Sequence, residues 1–348
     1  MKKRQYLTLI AVVLLATACS NETVFTEETP KPQPLVENAI TFSVDLEGGT
    51  RAVGEKSVIA DNDAIGVFAC YTGDIKYNLS TVTPDYMYNQ KVKYSGSTWT
   101  YTPVKYWPNT TDGDGYHRDY VSFFSYYPYT AGDTEGIIGF SNKDAAGDPW
   151  LVFQLPADAP NTQVDLLYGV AMLDLQKQGV IGKVDFSLRH ALACVGDQIS
   201  IQLSADLSTA LGAKALYVNN VTINYKNLTN KARLILNSNN SPNWQPVISG
   251  DYISNRTVTL PAGTYIASGT SPTPLTSTTP VEISSGNGLF YIPMHLGAVR
   301  QEAEITVEYT IKDSETTTTG SVTNSYFLRE DAQQKESINI VLGKSLIP

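Results

Sequence analysis

At 348 residues the chain is long enough for two domains of ~150 residues each. Hydrophobic residues at 42% and charged residues at 17% suit a folded body rather than a disordered one. The net charge of −9, with no Lys/Arg cluster after the first four residues, argues against nucleic acid as a partner and against electrostatic docking on anionic lipid.

The N-terminus carries an address. Lys2, Lys3 and Arg4 precede an apolar run from Leu7 to Ala16, which reads as a secretory signal too short to span a membrane. The run ends Leu15-Ala16-Thr17-Ala18-Cys19, and small residues before a cysteine resemble a bacterial lipobox. That resemblance implies a signal peptide over residues 1–18 and lipid attachment at Cys19, although the pattern prefers Leu where Ala16 stands. A diacyl or triacyl cysteine anchors firmly in a membrane. Residues 19–38 are acidic, Pro-bearing and aperiodic, the composition of a flexible tether. Glu22, Glu27 and Glu28 resemble the acidic tract that sends such lipoproteins to the outer face of the outer membrane.

Strand signals then follow one another. Ile40 to Leu46 alternates strictly, predicting a half-buried strand, and Gly48-Gly49-Thr50-Arg51-Ala52 reads as an open loop. Ile65 to Tyr71 is the next strand, led by the turn Asp61-Asn62-Asp63. Between Met87 and Tyr129 lie two aromatic, β-branched runs joined at Ser95-Gly96-Ser97-Thr98, a hairpin signature. Pro103 and Pro108 forbid a central strand after it, and Tyr120 to Tyr127 resumes as a buried run expected at the heart of the core. Gly136 to Phe140, Trp150 to Leu155 and Asp165 to Gly169 continue the pattern; Lys183 to Leu203 contains two alternating runs. Ala205 to Ala215 is the helical candidate. Eight further strands are expected from Tyr217 to Leu342, separated by Ser/Thr/Asn/Pro-rich loops such as Ser238 to Pro246. No long amphipathic helices separate the strands, so the expected fold is all-β: two β-sandwiches in tandem.

No catalytic constellation stands out. His117, His190 and His295 are scattered, and no nucleophile elbow, Walker loop or dinucleotide glycine pattern occurs. His190, in an apolar strand, reads as a structural histidine. Asp112-Gly113-Asp114-Gly115 lacks the further acidic ligands of a calcium loop and reads as a polar turn. Neither metal nor cofactor is expected. Cys70 and Cys194 sit in apolar strand settings as buried thiols, with a disulfide between them left open. Of Trp99, Trp107, Trp150 and Trp244, the last lies in an Asn/Pro loop and is the expected exposed aromatic, a candidate glycan contact.

The block Met87-Tyr88-Asn89-Gln90, Trp99-Thr100-Tyr101-Thr102-Pro103, Lys105-Tyr106-Trp107-Pro108 and Phe123-Phe124-Ser125-Tyr126-Tyr127-Pro128-Tyr129 resembles the fimbrillin family of Bacteroidales-type surface lipoproteins. The resemblance implies two transthyretin-like, Greek-key sandwiches and a role as stalk, tip or anchor subunit of a pilus. Its Phe-x-Leu-x-His-Ala-Leu strand, matched by Phe186 to Leu192, closes the first domain, so the domains are expected at 39–192 and 193–348. Its stalk members are cut by an arginine-specific protease after an Arg-Ala; here Arg51-Ala52 matches. The cut frees the strand before it, and a neighbouring subunit's terminal strand fills the groove. The candidate donor strand carries Ser337, Ile338, Ile340 and Leu342. The implied partners are other pilus subunits, outer-membrane lipid through Cys19, and host or bacterial surface ligands. The implied location is the outer membrane surface and its fimbriae. The alternative function is a surface glycan-binding lipoprotein.

Overall fold

The computed structural model describes residues 38–47, 56–108, 119–134, 136–157, 162–176, 183–237, 241–247, 253–267, 273–286, 288–294, 297–330 and 335–347. Among these, the first half contributes β1 (Thr41–Leu46), β2 (Ala64–Gly73), β3 (Met87–Ser95), β4 (Thr98–Thr100), β5 (Tyr120–Tyr127), β6 (Ile137–Phe140), β7 (Trp150–Gln154), β8 (Leu167–Gly169), β9 (Met172–Leu175) and β10 (Lys183–His190). The second half contributes β11 (Ala193–Leu203), helix α1 (Ala205–Leu211), β12 (Ala215–Thr229), β13 (Lys231–Ile235), β14 (Asn243–Pro246) and β15 (Ile253–Thr259). It ends with β16 (Val281–Ser285), β17 (Leu289–Tyr291), β18 (Glu302–Lys312), β19 (Thr317–Phe327) and β20 (Lys335–Leu342). The described residues all lie in one compact unit, Glu37–Pro348.

The fold is all-β and built from sandwiched sheets. The largest sheet runs β1-β10-β8-β5-β2-β3-β4, with β9 also on β5. Its pairings are antiparallel except β1 on β10, which is parallel. The β3–β4 hairpin turns at Gly96 and Ser97, whose φ of 54° and 73° are the left-handed values a type I′ turn requires. The sheet curls until its end strands touch, β1 lying against β4. Inside the curl sits one core: Ile40, Phe42, Val44, Ile65, Val67, Trp107, Val121, Phe123, Val184 and Phe186 are all buried there.

Residues 121–126 of β5 are buried without a break, because the strand has a core on each face. Val121 and Phe123 point into the curl, while Phe124 and Tyr126 point into a second core. That second core is roofed by the sheet β14-β13-β7-β6, in which β13 from the second half pairs with β7 from the first. The expected junction at 192–193 falls in the short step between β10 and β11. The remaining strands form the third core between two sheets: β15-β12-β18-β19, and β11 flanked by β16 and β17 on one side and β20 on the other.

The differences from the expected elements have physical causes. The helix stops at Leu211, four residues short of the expected end, because Gly212 (φ 58°) breaks it; Ser204 caps its start, accepting from the Leu207 N–H at 3.1 Å. Asn243–Pro246, expected as loop, is drawn into strand by pairing with β13. The aromatic hairpin is partly surface: Tyr88 and Tyr106 are exposed, whereas Trp107 and the β5 aromatics are the buried ones.

Candidate functional site

The site grows from β1. Its alternation puts Ile40, Phe42 and Val44 in the core with Leu46 half-buried, and parallel pairing sets Phe42 beside Val184, Val44 beside Phe186 and Leu46 beside Leu188. The Phe42 ring stacks on Phe186 at 5.9 Å and meets Tyr101 (5.4 Å) and Phe123 (6.2 Å) edge-on. On the other side, Ile40 N–H donates to the Lys105 carbonyl (2.9 Å), Trp107 N–H donates to the Asn38 carbonyl (2.8 Å), and the Tyr101 hydroxyl donates to the Ile40 carbonyl (2.8 Å). β1 therefore closes the curl. Taking it out would leave a groove with β10 on one wall, residues 101–107 on the other, and phenylalanines on the floor.

Polar contacts fix the register of β1 at the surface. The Ser43 hydroxyl donates to Asp185, which also pairs with Lys183 at 2.9 Å. Glu47 pairs with Arg189 at 2.5 Å, and its N–H donates to the Leu188 carbonyl at 2.8 Å. The bond from Arg189 holds the Glu47 carboxyl below its ordinary range, and the Ser43 hydroxyl followed by Lys183 does the same for Asp185.

Arg51 and Ala52 lie outside the described residues, as do Cys19, His117, His295 and the Asp112–Gly115 turn. The nearest described residues on either side of Arg51-Ala52 are Glu47 and Lys56. Upstream, Glu47 is held by Arg189. Downstream, Lys56 pairs with Asp63 at 2.5 Å, lies over the Tyr127 ring at 5.4 Å, and donates its N–H to Asp165 at 2.7 Å. The second oxygen of that buried Asp165 meets His190 Nδ1 at 2.9 Å, so His190 anchors this flank as a structural histidine. The upstream flank thus belongs to a strand at a sheet edge and the downstream flank to the body.

The candidate donor strand is seated in its own sheet. β20 pairs in parallel with β11, setting Ile338 beside Ile199, Ile340 beside Ile201 and Leu342 beside Leu203, with Ser337 exposed. Position by position, Ser337-Ile338-Asn339-Ile340-Val341-Leu342 repeats the pattern of Thr41-Phe42-Ser43-Val44-Asp45-Leu46: both bury the second and fourth residues, and both lie parallel to a neighbour.

Trp244 corrects an expectation. It lies in β14, half-buried, with its ring 6.4 Å from Phe153 and its Nε1–H donating to the Ala191 carbonyl at 2.9 Å. Trp150 is half-buried beneath the Arg233 guanidinium at 4.2 Å. Cys70 and Cys194 are both buried and no disulfide joins them; burial, then the charges of Asp85 and Asp148, pushes the Cys70 thiol up to about 12. Among the described residues no cluster of His, Cys, Asp or Glu has the makings of a metal site, and no helix is long and apolar enough to cross a membrane.

Comparison with known proteins agrees with this architecture. A family model described as fimbrillin-like matches residues 50–345. The fimbrium subunit Fim1C of Phocaeicola vulgatus is 24% identical over 217 residues, which are 60% of this chain and 54% of that protein. The chain thus spans about half the length of that curated relative. The crystal structure of a fimbrial protein from Bacteroides vulgatus shares the fold with a TM-score of 0.64 at 18% identity, over 88% of this chain and 94% of that one. With the family model covering all but the ends, the chain belongs to the fimbrillin-like family.

Proposed function

We propose that this protein is a structural subunit of a fimbria on the outer membrane surface, exported as a lipoprotein through Cys19 and joined to its neighbours by strand exchange at the β1 site. An arginine-specific protease cuts between Arg51 and Ala52. β1 then leaves, and a neighbouring copy's strand with the alternation of Ser337–Leu342 takes its place. The observation that carries this reading is the position of β1: an edge strand, paired in parallel, that closes a curled sheet over a phenylalanine-lined core just before an Arg-Ala bond. Parallel pairing is the slightly weaker kind per residue, which favours exchange. Four apolar side chains at ~1.5–3 kcal/mol each, an upper bound, make an empty groove unstable, so refilling is strongly driven. Pairing in its own sheet means β20 must open before it can be donated.

The test is the mature N-terminus in surface fractions. Sheared filaments should contain this protein beginning at Ala52. Finding it only as cell-bound monomer beginning at lipid-bearing Cys19 would contradict assembly by processing.

A further inference from the structure

We propose that β19 is a docking edge for a second copy of this chain, whose own β19 adds antiparallel to it and extends the β15-β12-β18-β19 sheet across a two-fold axis. β19 has β18 on one side and, among the described residues, no strand on the other. Its eleven residues run about 37 Å at 3.4 Å per residue.

Sheet edges of this kind are ordinarily protected by shortness, bulges, proline or charge. The other edge strands among the described residues follow that rule. β4, β6, β9, β14, β16 and β17 are five residues or shorter. β1 carries Asp45, β15 carries Arg256, and β20 carries Lys335 and Glu336. β19 has none of these protections. Its sequence, TTTGSVTNSYF, holds neither charge nor proline, and its ladder to β18 is unbroken from Thr317 to Phe327. In a chain of net charge −9, a long uncharged edge is a surface kept open for pairing.

A second copy fits this edge because the pairing is self-complementary. A two-fold contact sets residue i opposite j and j opposite i, so any charge on the strand would meet its like nearby. Centred on Val322, all eleven residues pair, and Ser321 faces the second copy's Thr323 with no charge opposed. Beneath the edge, between β19 and β20, lies a groove of roughly 660 Å³ lined by Val307, Val322, Tyr326 and Ile338, with Arg329 and Glu336 also on its wall. Phe327, 54% exposed, and Val341, 47% exposed, stand on its rim. The inward side chains of an added strand enter this groove, with the second copy's Val322 at its centre.

This contact leaves β1 untouched and stands or falls separately from strand exchange. The experiment is sedimentation equilibrium of the uncut chain carrying Cys19→Ser. The wild-type edge should give a reversible dimer. Ser321→Lys with Thr323→Lys, both exposed positions, should give a folded monomer, and so should the corresponding double Glu variant, which unfolds at a somewhat lower temperature because Ser321 stands opposite Glu308 on β18. Mixing the Lys and Glu variants should restore a dimer containing one of each. A wild-type chain that stays monomeric at the highest soluble concentration, a Lys variant that still dimerises, or a mixture that stays monomeric would each overturn the proposal. A monomer that instead captures an added strand peptide would also overturn it, by placing a different occupant on β19.

Discussion

Phe42 concentrates the energetics of β1 in one side chain: 6% exposed, in contact with three other aromatic rings, and carried on the strand that the proposed exchange would remove. Phe42→Ala leaves a cavity at the centre of the curl and should cost about 3–5 kcal/mol in urea unfolding. Ser43→Ala, half-buried and bonded to a surface carboxylate, should cost about 1 kcal/mol or less. Comparable costs for the two would mean that β1 is not held by its apolar face. Cys70 makes a second residue-scale prediction. Fully buried and with its thiol pushed up to about 12, it should resist alkylation at pH 8 in the folded protein and label fully in denaturant, as read cysteine by cysteine in a mass spectrometer. Rapid labelling of Cys70 in the native state would contradict the core placement.

At the scale of the element, β1 carries its own pH dependence. With β1 seated, Glu47 and Asp185 both titrate below their ordinary values of 4.5 and 3.8. A carboxyl lowered in the folded state contributes stability that is present above its ordinary value and is lost as pH falls through the lowered one. Seating of β1 should therefore weaken as pH drops below about 4.5, with amide exchange over residues 41–47 several-fold faster relative to the rest of the sheet. Glu47→Gln with Asp185→Asn should flatten that dependence; an unchanged slope would assign it to other groups. Much of this element was legible beforehand, because the Ile40–Leu46 alternation is a period-two signal and states its buried face directly. Its parallel pairing with β10 was not legible, since partner choice is set by contacts 142 residues away, such as Ser43 with Asp185. The Asp165–His190 anchor was equally hidden: His190 could be read as structural, but its partner lies on a different segment. The same limit hid β14, a tetrapeptide with the composition of a loop that becomes strand because β13 offers it an edge, and with it the inward turn of Trp244. The Gly96-Ser97 turn was readable because its chemistry is local.

For the whole molecule, the two halves repeat one device: a strand laid parallel at the edge, β1 on β10 and β20 on β11, with matching alternation. The halves are also stitched together, since β13 pairs with β7 and the core beneath them draws on both. Removing β1 should therefore open the first curl without unfolding the second half. The most direct measurement is peptide exchange on the cut chain. The soluble protein is treated with an arginine-specific protease, and a fluorescent peptide of residues 336–342 is added while released residues 38–47 are followed by mass. Strand exchange at the β1 site predicts cleavage after Arg51, loss of β1 and slow uptake of one peptide per chain, blocked when the peptide's Ile338 and Ile340 are replaced by Asp. A chain that is cut after Arg51 yet keeps β1 and takes up no peptide would contradict it.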